Sequence, residues 1–266
     1  MDIEVLGPLR VRVSGVDVAP SAPKPRVLLA LLACQLGEAV STAAIVEELW
    51  GGDVPRSAST TVQTYVMQLR THIGAALLAA GASPEAARSV LVTRGRGYEL
   101  TGEGGTSDLS SFETAAERGH RAVEAGDWRT ARQSLGAALA LWRGAALADV
   151  PTGPWLSALV TRLEEARLSL LVQAIGVELQ LGNHYLLLGE LAALTDRHPL
   201  HEALHQMYMV ALYRTGHPDR ALRVYGRLRA ALDESLGLDP LGSVERLRGA
   251  LLVASPALEP APVPVG

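Results

Sequence analysis

Ser57-Ala58-Ser59-Thr60-Thr61-Val62-Gln63-Thr64-Tyr65-Val66-Met67-Gln68-Leu69-Arg70-Thr71-His72-Ile73 is the stretch from which the rest of the chain can be read. At about 100° per residue, Val62, Val66, Leu69 and Ile73 share one side, with Tyr65 at its edge. This spacing predicts a helix buried along one stripe, running over residues 57–78. The opposite side carries Thr60, Thr64, Met67, Gln68 and Thr71, flanked by Gln63 and Arg70. Hydroxyl, amide and methyl groups suit base edges: a glutamine can pair with adenine bidentately, and a threonine can reach either base or touch a thymine methyl. Nearby arginines can neutralise phosphates. The same pattern also describes an ordinary amphipathic helix with a solvated outer face, so its neighbours must decide.

Upstream, residues 42–50 form a short helix with Ile45, Val46 and Leu49 as its inner face and Ser41 as its N-cap. Gly51-Gly52-Asp53-Val54-Pro55 makes the turn between the two helices. A further helix precedes them over 25–36, closed by Gly37, and residues 2–18 read as short strands broken at Gly7-Pro8 and Ser14-Gly15. Downstream, a loop at 81–85 leads to a hairpin of residues 89–94 and 97–101 that turns at Gly95 and Gly97. Strands, three helices and a hairpin make a winged helix-turn-helix. In that arrangement the second helix of the pair enters the major groove, and the tip Arg94-Gly95-Arg96-Gly97 lies beside a phosphate or in the minor groove. The candidate DNA contacts on this reading are Thr60, Thr61, Gln63, Thr64, Met67, Gln68, Arg70, Thr71, Arg94 and Arg96.

Charge supports the placement. The whole chain carries −4, yet residues 54–98 hold five arginines against Glu85 and carry +4, leaving −8 on the remainder. Nearly all basic residues are arginine, Lys24 being the only lysine. The single cysteine, Cys34, excludes an intrachain disulfide and is expected as a small core residue. Neither a leader pattern nor an apolar run of membrane-spanning length is visible, so the chain is expected to be soluble, cytoplasmic and nucleoid-associated.

After the glycine-rich stretch 102–105, read as a linker, the character changes to helix throughout, with no strand pattern. Helices are expected at 109–125, 128–142, 155–181, 184–197, 201–215 and 218–236. Gly182 and Gly216 lie 34 residues apart, the period of a tetratricopeptide unit, and each separates two helices; Gly126 fits the same role with imperfect spacing. The expected fold is mixed: an N-terminal α/β winged helix-turn-helix over 1–102, an all-α tetratricopeptide-like domain over 106–254, and a disordered proline-rich tail over 255–266.

Glu4-Val5-Leu6-Gly7-Pro8-Leu9, Lys24-Pro25-Arg26, Glu48-Leu49-Trp50-Gly51, residues 61–70 and Leu91-Val92-Thr93-Arg94 resemble the Streptomyces antibiotic regulatory proteins. Leu141-Trp142-Arg143-Gly144, Arg162-Leu163-Glu164-Glu165, His198-Pro199-Leu200, Ala211-Leu212-Tyr213-Arg214 and Leu236-Gly237-Leu238-Asp239-Pro240 resemble that family's bacterial transcriptional activation domain. The resemblance covers about residues 2–250 and suggests a small stand-alone member. It implies a winged helix of the response-regulator effector type. It also implies binding to direct repeats near a −35 element by two protomers side by side, and recruitment of the RNA polymerase holoenzyme to promoters of secondary-metabolite (antibiotic) genes. Thr60, Tyr65, Met67, Gln68, Arg70 and Thr71 fall at its DNA-facing positions, with Tyr65 placed to reach a phosphate through its hydroxyl. The second arginine of the wing tip departs from the commoner family pattern.

Other chemistries find little support. His198, His201 and His205 lack a third ligand type beside them, no phosphate-binding glycine loop or nucleophile elbow is present, and Glu164-Glu165 lie on a polar helix face. No enzyme activity, cofactor or metal is expected. Two alternatives stay open: a tetratricopeptide-type adaptor whose winged helix binds protein, and a repressor using the same DNA-binding half.

Overall fold

The structure is a computed structural model and describes residues 1–102, 105–255 and 258. The proline-rich tail expected over 255–266 lies outside the described residues apart from Ser255 and Leu258. Strands β1 (Asp2–Glu4), β2 (Arg10–Val13) and β3 (Val16–Asp17) form an antiparallel meander in which Ile3 lies opposite Val11. Helices α1 (Pro23–Cys34), α2 (Thr42–Trp50), α3 (Ala58–Ala79) and the one-turn α4 (Ala87–Val90) follow. Helix α1 begins at Pro23, two residues before the expected start, because a first helical turn tolerates a residue without an N–H. Short strand β4 (Val40–Ser41) pairs with β6 (Gly97–Leu100), which pairs in turn with β5 (Leu91–Arg94). Gly97 is required there: a Cβ on it would sit 2.2 Å from the Val40 carbonyl oxygen.

Three elements differ from the sequence reading. The hairpin's first strand starts at Leu91, since Ala87–Val90 coils into α4. Gly105 leads directly into β7 (Thr106–Ser107), which adds to β1 in parallel, Ile3 opposite Ser107. A last helix, α11 (Gly242–Leu252), follows the Leu-Gly-Leu-Asp-Pro segment and buries Val244 and Leu251. Between them run α5 (Asp108–Glu124), α6 (Trp128–Ala140), α7 (Pro154–Gln180), α8 (His184–Arg197), α9 (Glu202–Arg214) and α10 (Pro218–Leu236).

The molecule divides into two compact units. One unit comprises Met1–Glu117 with Ala137–Leu168; the other comprises Arg118–Gly136 with Ser169–Gly266. In the first, the segments that the family resemblance singled out meet. The Asp108 carboxylate accepts the Val5 N–H at 2.8 Å and the Leu6 N–H at 2.9 Å. Helix α6 stops at Ala140, so Arg143 leaves the helix; its N–H donates to the Leu6 carbonyl at 2.8 Å and its guanidinium reaches the Pro8 carbonyl at 3.2 Å. Asp149 accepts the Leu9 N–H at 2.7 Å and pairs with Arg26. Phe112 meets Trp142 edge to face at 5.5 Å between ring centroids. Cys34 is half-buried in this unit. Burial first, and then the negative charges of Asp108 and Glu48, push its thiol up to about 12, so it stays protonated and unreactive.

In the second unit α9 packs against α8 and α10, and α11 against both α9 and α10. Gly182 and Gly216 take φ of +84° and +83°, the left-handed geometry that lets each helix stop and the next begin. His184 is buried. Arg214 can only donate, so at 2.9 Å the His184 Nε2 must accept, and Nδ1–H donates to the Gly182 carbonyl at 2.8 Å. His201 caps α9 and His205 is buried against it, so these histidines are structural. Among the described residues no group of His, Cys, Asp and Glu is arranged to hold a metal, and no helix is long and apolar enough to cross a membrane.

Candidate nucleic-acid interface

Helix α3 is held from below by Val62, Val66, Leu69 and Ile73, all buried as their spacing predicts. Its other side is open. Thr60, Gln63, Thr64, Met67, Gln68 and Thr71 are exposed together on one face, and Met67 is 68% exposed, unusual for a large apolar side chain without a partner. Thr61 and Tyr65 are half-buried at the edges. The threonines carry a further restriction. Thr61, Thr64 and Thr71 donate their hydroxyl protons to the carbonyls of Ser57, Thr60 and Met67 at 3.0, 3.1 and 3.0 Å. Each outward oxygen is therefore left as an acceptor, matched to exocyclic amines such as adenine N6 or cytosine N4. Gln63 and Gln68 are the amide groups able to donate and accept at once.

The helix before it, α2, is set by two caps. Ser41 Oγ accepts the Ala44 N–H at 3.1 Å, and Gly51 at φ +54° closes the far end. The Lys24 ammonium lies 4.3 Å above the Trp50 ring, tying α1 to α2. The burial of α2 differs from the expected inner face. Ile45 and Glu48 are buried, whereas Val46 and Leu49 are half-buried. Glu48, 5% exposed, reaches the start of α7. Its carboxylate accepts the N–H groups of Gly153, Trp155 and Leu156 at 2.7, 2.8 and 3.2 Å. An anion among the free amides at a helix N-terminus is favoured by hydrogen bonding and by the helix dipole. Gly153 has no room for a side chain, since a Cβ would lie 2.1 Å from the Glu48 carbonyl oxygen. In the sequence Glu48 is part of Glu48-Leu49-Trp50-Gly51 and nothing local marks it as buried; its burial depends on a partner more than a hundred residues away.

The arginines separate into three roles. Arg70, expected at the phosphates, turns toward the hairpin. Its guanidinium donates to the Leu91 carbonyl at 3.0 and 2.9 Å and to Thr93 Oγ1 at 2.9 Å. Burial there is the main cause that draws its pKa below the ordinary value. Arg94 is 59% exposed but pairs with Glu99 at 2.8 Å across the hairpin. The side chain of Arg96 is exposed and has no partner among the described residues, while its carbonyl accepts both the N–H and the hydroxyl of Thr42 at 2.9 Å. Arg56 and Arg88 are also exposed. Helix α3, the wing and the start of α2 are thus fastened to one another by side chains.

Residues 107–252 match the family described as bacterial transcriptional activator domain, and residues 19–100 match transcriptional regulatory protein, C terminal. The chain is 43% identical to the regulatory protein DnrI of Streptomyces peucetius over 97% of its own length and 94% of DnrI. It is 36% identical to the regulatory protein AfsR of Streptomyces griseus over 97% of this chain but only 26% of AfsR. Among solved structures, Mycobacterium tuberculosis EmbR in complex with a low affinity phosphopeptide superposes with a TM-score of 0.85 at 31% identity, covering 96% of this chain and 65% of that one. The fold expected from sequence, a winged helix followed by an all-helical activator domain, is the one observed. Matched in both halves, and aligned with DnrI along nearly its whole length, the chain belongs to the Streptomyces antibiotic regulatory protein family of transcriptional regulators.

Proposed function

We propose that this protein is a sequence-specific activator that reads promoter DNA through α3 and recruits RNA polymerase holoenzyme to secondary-metabolite promoters. The observation that carries the reading is the single exposed face of α3, where Gln63, Thr64, Met67, Gln68 and Thr71 stand together beside an arginine-tipped wing. In the major groove Gln68 and Gln63 pair with base edges, Thr60, Thr64 and Thr71 accept from exocyclic amines or touch methyl groups, and Met67 packs on thymine methyls. Tyr65 reaches a phosphate from the helix edge. Arg96 is the wing's free cation for a phosphate or the minor groove, and Arg70 positions the wing on α3 instead of touching DNA. Two protomers on direct repeats near the −35 element would place their helical units toward the polymerase. Such a protein works in the cytoplasm on the nucleoid and needs no catalytic group, cofactor or metal.

The test is a salt-titrated gel shift on promoter fragments from the gene neighbourhood, with excess random DNA as competitor. A competitor-resistant shift on one promoter that weakens steeply with salt is expected. Absence of any shift at low salt would overturn the reading.

A further inference from the structure

The second compact unit carries a groove of about 690 Å³ lined by residues of α8, α9 and α10. Its floor includes Leu212, Val224 and Tyr208, all buried. Tyr208, 4% exposed, lies with them at the base of the groove. Along one wall stand Arg220, Arg223 and Arg227, spaced so that they share one side of α10. Arg220 has no partner among the described residues. Arg223 pairs with Asp219 at 2.9 Å and Arg227 with Asp196 at 3.5 Å. These two pairs are solvent-exposed and weak, so an incoming carboxylate can compete with either acid.

We propose that this groove binds an acidic peptide segment, with carboxylates on the three arginines and an apolar side chain in the groove between α9 and α10. The dimensions agree. Arg220 and Arg227 lie about 10 Å apart along the helix axis, the span of about three residues of extended peptide. A nucleic acid fits less well. Asp196 and Asp219 interrupt the row of arginines, so it offers separate sites and not a continuous track for a phosphate backbone. The surrounding chain is net negative, so the arginine wall is a local feature that selects acidic ligands against that background.

The proposal is independent of promoter binding by α3, and its experiment keeps the two apart. Fluorescence anisotropy with the full chain uses a labelled pool of short peptides bearing Asp or Glu at alternate positions around one Leu or Phe. Saturable binding is expected, weakened about tenfold or more in the double variant Arg220→Ala with Arg227→Ala. Gly226→Leu should block the groove without changing charge, because a Cβ there meets nothing within 4 Å and the helix can accept it. Arg229→Ala, an exposed arginine outside the groove lining, should bind as the unchanged protein does. Promoter gel shifts should be unaltered in all of these variants. The proposal is overturned by no saturable binding at low salt, by equal binding of the Asn/Gln counterparts of the peptides, by an unchanged double variant, or by labelled duplex DNA proving the ligand lost with Arg220 and Arg227.

Discussion

Replacing Glu48 tests whether the helix-turn-helix is held in place by the segment beyond residue 150. The carboxylate is almost wholly buried and satisfies three backbone N–H groups, two of them at 2.7 and 2.8 Å and the third at 3.2 Å. Hydrogen bonds to a charged acceptor contribute about 1.5–3 kcal/mol each, and they are not additive when one carboxylate makes all three. Glu48→Ala leaves these donors without an acceptor at the start of α7 and opens a cavity under α2. A loss of about 3–5 kcal/mol is expected. Glu48→Gln keeps one oxygen but turns an amide NH2 toward N–H donors, and should lose about 2 kcal/mol. The assay is urea denaturation followed by tryptophan fluorescence, since Trp50 and Trp155 flank the contact. Operator affinity should fall with stability, because α2 sets the angle at which α3 leaves its turn. A loss under about 0.5 kcal/mol for Glu48→Ala would refute the reasoning, for it would equal an ordinary surface substitution.

Other outcomes follow from the interface. Gln68→Ala or Thr64→Ala should reduce discrimination between operator and random DNA by about 1–3 kcal/mol, measured by competition gel shift; an equal loss on every sequence would remove them from base reading. Arg96→Ala should lower the salt slope of binding by about one unit, and Arg94→Ala should lower it less while Glu99 holds the arginine. Equal slopes would contradict the division between the two. Arg70→Ala should lower unfolding free energy by about 1–2 kcal/mol through loss of its bonds to the hairpin, with the salt slope unchanged. A slope reduced by a full unit would return Arg70 to the phosphates. His184 and His205 have pKa values held below the ordinary 6.5, chiefly by burial, so the unfolded chain takes up their protons first. Their stabilising effect is complete above pH 6.5 and declines as pH falls through the folded values. Melting temperatures followed by circular dichroism should drop on acidification, and by less in the His184→Gln, His205→Gln double variant; an equal drop would remove these residues from the effect.

The exposed face of α3 was legible because its buried stripe is local: Val62, Val66, Leu69 and Ile73 repeat at helical spacing, and whatever lies opposite must face outward. Arg70 was not, since its position on the wheel is correct but its destination, the Leu91 carbonyl, is set by where a hairpin twenty-one residues later returns. Strands β4 and β7 have two residues each, too few to show an alternation, and exist because Tyr98 and Ile3 offer them a ladder. Helix α11 did leave a signal, Val244, Leu247 and Leu251 at helical spacing after Asp239-Pro240, but it is not marked by a glycine joint like those at Gly182 and Gly216. Glu48 and Asp108 show the limit of pattern reading. A carboxylate looks the same in sequence whether it meets water or the backbone amides of a distant segment.

The carboxylates of Asp108 and Asp149 also bear on how such regulators can change over evolution. The first sheet takes its last strand from residues beyond 105, and two carboxylates from there accept three N–H groups of the segment between β1 and β2. A recombination joining these first hundred residues to an unrelated helical half would strip that sheet of its edge strand and leave Val5, Leu6 and Leu9 with bare amides. Such an exchange is therefore expected to cost stability unless the incoming half carries acids at these places. On the proposed reading, new operator preferences can arise by point substitution on the open face of α3, where Gln63, Met67 and Gln68 are exposed. The reading surface can drift while its scaffold stays fixed.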